Sequence, residues 1–159
     1  MVRLATEKYT NAKSKIKKKY VHLTNYSVQK KAAGYNKNEE GEDESSGSKW
    51  TFAGFKEHCA ANSIDYDKVF KRIHDVIIKT IISVEPTIAY NMNRSSRNKN
   101  ICFELFGFDI LLDKKLKPWL LEVNVSPSLG SGSSLDKKVK TSLLCDTFNL
   151  VGFIPYNKK

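Results

Sequence analysis

The chain has 159 residues, about one domain by length. At 40% hydrophobic and 28% charged it holds enough apolar material for a core, which excludes a wholly disordered chain. The net charge is +10, and five acids fall in one short run, Glu39, Glu40, Glu42, Asp43 and Glu44; outside it the 27 basic residues meet 12 acids, a net +15. Such a field favours an acidic partner, without choosing among nucleic acid, an anionic membrane, a nucleotide or an acidic protein surface. No run approaches the ~18–20 apolar residues of a membrane span. The first twenty residues are Lys-rich and lack the apolar stretch of a signal peptide. Three widely spaced cysteines, Cys59, Cys102 and Cys145, argue against a disulfide framework or a zinc site, suit a reducing compartment, and read as small core hydrophobes.

In chain order, Met1 to Lys19 is polar and basic, with lysines at 13, 15, 17, 18 and 19, and runs into the strand-like Tyr20 to Leu23. This lysine cluster reads either as a solvated surface or as a face toward phosphate or another anionic partner. Residues 36–49 contain no large apolar side chain and read as a solvent-exposed loop, after which Trp50, Phe52 and Phe55 re-enter the core. Asp65 to Val84 carries Tyr66, Val69, Phe70, Ile73, Ile77, Ile81 and Val84 at three- and four-residue steps, the period of one helical face. Asp65 or Ser63 can cap this helix, and Glu85-Pro86 is expected to end it. Asn91 to Asn100 reads as a polar loop. A second helix is expected over Leu135 to Leu150, with Asp136 in its first turn and Gly152 after its end. The three histidines, His22, His58 and His74, read as structural, His22 ordering the turn around Thr24 or packing on the core.

Between the helices lie Cys102 to Leu112 and Pro118 to Val125, two apolar segments joined by a short polar turn, the pattern of a β-hairpin. Strand side chains alternate between faces. If Asp113 pairs with Pro118, then Phe106, Phe108, Ile110 and Leu112 share a core-facing side with Trp119, Leu121, Val123 and Val125. The other side sets Leu105, Gly107, Asp109 and Leu111 against Leu120, Glu122 and Asn124. Asp109 then lies opposite Glu122, with Asn124 two residues along. Facing carboxylates repel one another and are costly to desolvate, and a divalent cation removes both problems. Mg²⁺ takes oxygen ligands of this kind, commonly one or two carboxylates plus substrate phosphates. Leu105, Leu111 or Leu120 would supply an apolar wall for an adenine. The residues alone also allow a half-exposed face whose acids meet lysines. Gly107 between two phenylalanines either relieves crowding or marks the approach of a ligand.

Asp109 in FGFDILLD, Glu122 and Asn124 in WLLEVNVSPSL, and Thr24-Asn25 in HLTNYS together resemble the tubulin–tyrosine-ligase-like family. The resemblance runs from the Arg3 motif to Gly152, and VNVSPSL followed by Leu135-Asp136 is most similar to its polyglutamylase branch. It implies an α+β, ATP-grasp fold: the C-terminal subdomain, a mainly antiparallel sheet with packed helices, over residues 1–153, with 154–159 as a tail. The domain is therefore expected to be incomplete, since the earlier region bearing the phosphate-gripping lysines is not in these residues. It implies an ATP- and Mg²⁺-dependent ligase that phosphorylates a glutamate side chain of an acidic tubulin tail and joins free L-glutamate to it. Asp109, Glu122 and Asn124 match magnesium ligands, and Thr24 and Asn25 match nucleotide contacts. Arg3, Tyr26, Ser27 and Lys49 match positions that hold the incoming amino acid. The implied location is cytoplasmic and microtubule-associated, with the cilium or basal body as candidate places. The alternative is a truncated, non-catalytic module that binds acidic tubulin tails by charge. Nucleic acid is not expected as a partner, because no recognition motif accompanies the basic charge.

Overall fold

A computed structural model of the chain describes residues 1–36, 47–95 and 102–152. In chain order its elements are β1 (Val2–Arg3), a 3₁₀ turn (Lys13–Lys15), α1 (Lys19–His22), α2 (Tyr26–Gln29), β2 (Lys49–Trp50), α3 (Phe52–Ala61), α4 (Tyr66–Ser95), β3 (Phe106–Leu112), β4 (Pro118–Val125) and α5 (Ser134–Val151). The chain forms two compact units, Met1–Ile64 with Leu129–Lys159, and Asp65–Ser128. The architecture mixes helices with antiparallel strand pairs. The expected sheet is realised, among the described residues, as two separate two-stranded ladders, β1 with β2 and β3 with β4.

In the first unit β1 and β2 pair Val2 with Trp50 and Arg3 with Lys49. Tyr20 to Leu23, expected as strand, is instead the short helix α1 and its C-cap. The reason lies in Gln29, 1% exposed. Its amide nitrogen donates to the carbonyls of Tyr20 (3.2 Å) and Leu23, and its amide oxygen accepts from the Thr6 backbone N–H (3.0 Å) and hydroxyl (2.8 Å). A buried amide must find such partners, and here it draws the backbone into a tight turn rather than a ladder. Gln29 thus anchors the turn before Thr24. His22 is bonded elsewhere, its Nε2 lying 3.1 Å from the Lys15 carbonyl and its ring edge-on to Tyr9. Thr51 caps α3 by accepting from the Gly54 N–H at 3.0 Å. Trp50 and Phe55 are half-buried, whereas Phe52 lies exposed. The buried apolar side chains of this unit are Val21, Cys59 and Leu135 among the described residues. Burial pushes the Cys59 thiol above its ordinary value, so it behaves as a core hydrophobe. Cys102 and Cys145 are exposed, contrary to expectation.

Helix α5 follows its sequence signals. The Ser133 hydroxyl accepts from the Asp136 N–H at 3.1 Å, and Gly152, at φ 77°, closes the helix with its N–H on the Phe148 and Asn149 carbonyls.

In the second unit Asp65 caps α4, its Oδ1 accepting from the Lys68 N–H at 2.9 Å. Tyr66, Phe70, Ile73, Ile77 and Ile81 are half-buried and Val69 is buried, as their spacing predicts, while Val84 is exposed. Pro86 does not end the helix, which continues to Ser95 and takes in residues 91–95 that read as loop. Proline lacks the N–H that would bond the Ile82 carbonyl, but its φ is helical, so an exposed helix tolerates it at a cost in stability. The rest of that expected loop, residues 96–100, lies outside the described residues, as do 37–46 of the acidic loop and the tail from 153. Helix α4 packs against β4. Strand β3 starts at Phe106, four residues later than the sequence suggests.

The hairpin departs from a simple ladder in two ways. Asp113 pairs with Lys117 rather than Pro118: its N–H donates to the Lys117 carbonyl at 3.1 Å, and the Leu116 N–H returns to the Asp113 carbonyl at 2.9 Å. Leu116 sits at φ 57°, the left-handed position that a three-residue hairpin loop requires. Asp113 organises the loop, its Oδ1 accepting from the Lys115 and Lys117 N–H groups and its Oδ2 from the Trp119 indole. These bonds, the indole's first, hold its carboxyl below the usual value. The shorter loop shifts the pairing by one, giving Leu112 opposite Pro118, Leu111 opposite Trp119 and Ile110 opposite Leu120. A bulge at Leu121 then restores the expected register, with Asp109 opposite Glu122, Phe108 opposite Val123 and Gly107 opposite Asn124.

Candidate functional site

The first group of site residues lies on the bulged hairpin. Asp109 and Glu122 are direct cross-strand partners, as the alternation predicts, and Asn124 faces Gly107 two residues along. Opposed side chains start about 5 Å apart at Cβ. The Asn124 amide donates to Glu122 Oε1 at 3.2 Å, and no ion pair of Glu122 occurs among the described residues. Because the pair falls on the far side of the bulge from the turn, the apolar wall changes. Leu120 moves to the Ile110 side, and Trp119, expected in the core, takes its place opposite Leu111 on the acidic face. The opposite face is not a closed core either, with Val125 66% and Val123 36% exposed. Gly107 answers its two readings in favour of crowding: a Cβ there would meet the Pro127 ring at 2.9 Å. Ser126, between the strand end and Pro127, is held at φ 55°, a strained conformation at the end of the acidic face.

The donor set is two carboxylates and an amide oxygen at neighbouring positions of one face. No group of three or more His, Cys, Asp or Glu that could hold a metal occurs among the described residues. Hard oxygen donors of this kind fit Mg²⁺, which keeps several of its waters or takes phosphate oxygens as further ligands.

The second group lies in the other unit. A narrow cleft, with about 10 Å³ of free space, is lined by Arg3, Leu4, Thr24, Tyr26, Gln29, Tyr35, Ser48 and Lys49. Four residues singled out by the sequence, Arg3, Thr24, Tyr26 and Lys49, therefore meet here. Asn25 and Ser27 are exposed and do not line it. Asn25 begins α2 through its backbone, its carbonyl accepting from the Val28 and Gln29 N–H groups.

Lys49 stands at the centre. Its Nζ donates to Asp136 Oδ2 at 2.7 Å and sits 4.2 Å from the centroid of the Tyr26 ring. Both charged side chains are 8% exposed. Burial pushes the Asp136 carboxyl up, but the hydrogen bond and charge of Lys49, the Gly132 N–H and the charge of Lys140 outweigh it, and the net shift is downward. Burial, with the Tyr26 phenol and Asp136, raises the Tyr35 phenol above its ordinary value. Asp136 is the residue that sequence reasoning missed. It reads as an ordinary first-turn acid of α5, and 87 positions separate it from Lys49.

A family model described as "Tubulin-tyrosine ligase family" matches residues 1–159. The chain belongs to the tubulin-tyrosine ligase family. It is 42% identical over 154 residues to the mouse "Tubulin polyglutamylase TTLL5", covering 97% of this chain and 12% of that protein. It is 43% identical over 154 residues to the human "Tubulin monoglutamylase TTLL4", covering 97% of this chain and 13% of that protein. With the "Tubulin polyglutamylase ttll-4" of Caenorhabditis elegans it shares 44% over 156 residues, 98% of this chain and 25% of the relative. The chain thus spans between about an eighth and a quarter of the length of these family members. No helix among the described residues is long and apolar enough to cross a membrane.

Proposed function

We propose that the protein is an ATP- and Mg²⁺-dependent glutamate ligase acting on acidic tubulin tails, and that residues 1–153 are the C-terminal part of its ATP-grasp domain, with 154–159 as a tail. The observation that carries this is the pairing of Asp109 with Glu122 beside Asn124 in a member of the tubulin-tyrosine ligase family. Relatives named as tubulin polyglutamylases and a monoglutamylase support glutamate as the added residue and tubulin as its acceptor.

The reaction joins an amine to a carboxylate. A carboxylate is a poor acyl group, so the tail glutamate first takes the γ-phosphoryl group of ATP, releasing ADP. The amine of free L-glutamate then attacks the acyl carbon, phosphate leaves, and an isopeptide bond remains. In this reading Asp109, Glu122 and Asn124 hold Mg²⁺, which supplies neutralisation of phosphate charge during the transfer. Trp119 and Leu111 form an apolar border to that face, and Thr24 and Asn25 contact the nucleotide. Arg3 grips a carboxylate of the incoming amino acid bidentately and Lys49 meets its second one as a point charge, with Tyr26 and Ser27 beside them. The surplus of lysines attracts the acidic tail from a distance. Such an enzyme works in the cytoplasm on microtubules, including those of cilia and basal bodies.

The intact protein, purified from its source cells and incubated with tubulin, Mg-ATP and labelled glutamate, is expected to add glutamate to tubulin tails. Asp109→Asn or Glu122→Gln should lower turnover about a hundredfold or more while the circular dichroism spectrum is kept. Wild-type turnover in either variant sinks the proposal. Salt-sensitive tubulin binding without any glutamate transfer would instead make the protein a binding module.

A further inference from the structure

A buried ion pair is poor evidence for stability, because desolvating two charges offsets most of their attraction. The Lys49–Asp136 bridge therefore calls for another reason. Three observations supply it. Lys49 lines the cleft that also gathers Arg3 and Tyr26. Asp136 holds the Lys49 ammonium at 2.7 Å, against the Tyr26 ring. The same carboxylate also fixes the segment that precedes α5: its Oδ2 accepts from the Gly132 N–H at 3.3 Å, while Ser133 caps its own N–H. Lys140, one turn further along α5, donates to the Gly130 carbonyl and pins the same segment a second time. A Cβ at Gly132 would stand 3.7 Å from both Asp136 Oδ2 and the Tyr26 hydroxyl, so the segment passes against the ring that Lys49 covers.

We propose that Asp136 is a positioning residue for the incoming amino acid: it sets the place of the Lys49 ammonium at the cleft, so that Lys49 meets a substrate carboxylate from a fixed position. A lysine on a four-carbon stem is otherwise a flexible point charge, and fixing it in advance reduces the ordering needed on binding. An ammonium has three N–H donors, so it can keep Asp136 and face a second carboxylate at once. The inference rests on the ligase reading and adds a residue to it.

The test uses the intact protein and L-glutamate. Asp136→Asn keeps the shape and one acceptor oxygen and removes the charge. It is expected to raise the KM for glutamate about tenfold, with kcat changed much less, and Asp136→Glu should recover part of the loss. Exchanging the pair, Lys49→Asp with Asp136→Lys, should restore melting temperature but not the KM. An Asp136→Asn protein with a lowered melting temperature and an unchanged KM overturns the proposal, and so does an exchanged pair with the wild-type KM. A second measurement needs no turnover. In protein labelled with ¹³Cε-lysine, the Lys49 signal, identified by its loss in Lys49→Arg, should move when L-glutamate is added to wild type and move less in Asp136→Asn. Absence of movement in wild type also overturns the proposal. Movement without ligation sinks the ligase reading and leaves the positioning role standing.

Discussion

Asp136 shows what one residue does when a fold assigns it a partner. Its carboxyl is held below the ordinary value of 3.8 by Lys49, Gly132 and Lys140. A depressed carboxylate contributes stability above its unfolded pKa, and that contribution is lost as pH falls through the folded value. Chemical unfolding followed from pH 6 down to pH 2 should therefore show wild type losing stability below about 4, and Asp136→Asn losing less over the same range. Parallel curves for the two proteins would remove this carboxyl from the acid response. Nothing in the sequence marks Asp136 or Gln29 as special. Each acts through partners brought close by folding, Lys49 for the first and Thr6, Tyr20 and Leu23 for the second. Apolar neighbours mark the segments of Asp109 and Glu122 as strand, but the expected register started from an Asp113–Pro118 pairing that does not form, and the two acids face each other because the bulge at Leu121 offsets the shorter turn.

At the scale of elements, the start of α4 and the extent of α5 with its Gly152 stop were read correctly, where local signals act on local backbone, whereas the end of α4 was not. Sequence reasoning failed where backbone geometry had two solutions. Pro86 in α4 is tolerated rather than obeyed. The hairpin turn closes with three residues, although Leu116 must adopt a left-handed conformation that costs a side-chain-bearing residue about 1 kcal/mol. The bulge at Leu121 compensates for that short turn, so the two irregularities cancel at the acidic pair. One residue inserted into the turn should then be taken up by loss of the bulge. Trp119 and Leu120 would exchange faces, and Asp109 would stay opposite Glu122. Gly152 offers a simpler check. Its φ of 77° suits glycine, and Gly152→Ala should cost about 1 kcal/mol in denaturant unfolding. An unchanged midpoint would show that the last turn of α5 contributes nothing to cooperative unfolding.

At the scale of the whole molecule, the balance of burial among the described residues is thin. Leu121 at 63%, Val125 at 66% and Leu150 at 90% exposure leave large apolar side chains in water. The 159-residue chain expressed by itself should bind a hydrophobic dye and associate as its concentration rises, measured by fluorescence and by light scattering. A monodisperse monomer without dye binding would contradict this. The order in which the parts arise matters as well. The second unit, Asp65–Ser128, is one unbroken stretch, whereas the first is made of Met1–Ile64 and Leu129–Lys159. During synthesis from the N-terminus, the hairpin bearing Asp109 and Glu122 can form from neighbouring residues as soon as it leaves the ribosome. Lys49 has by then been made and must wait for Asp136, 87 residues later. Translation therefore completes the acidic face first and the cleft around Lys49 last, and a chain stalled before α5 would carry the one without the other.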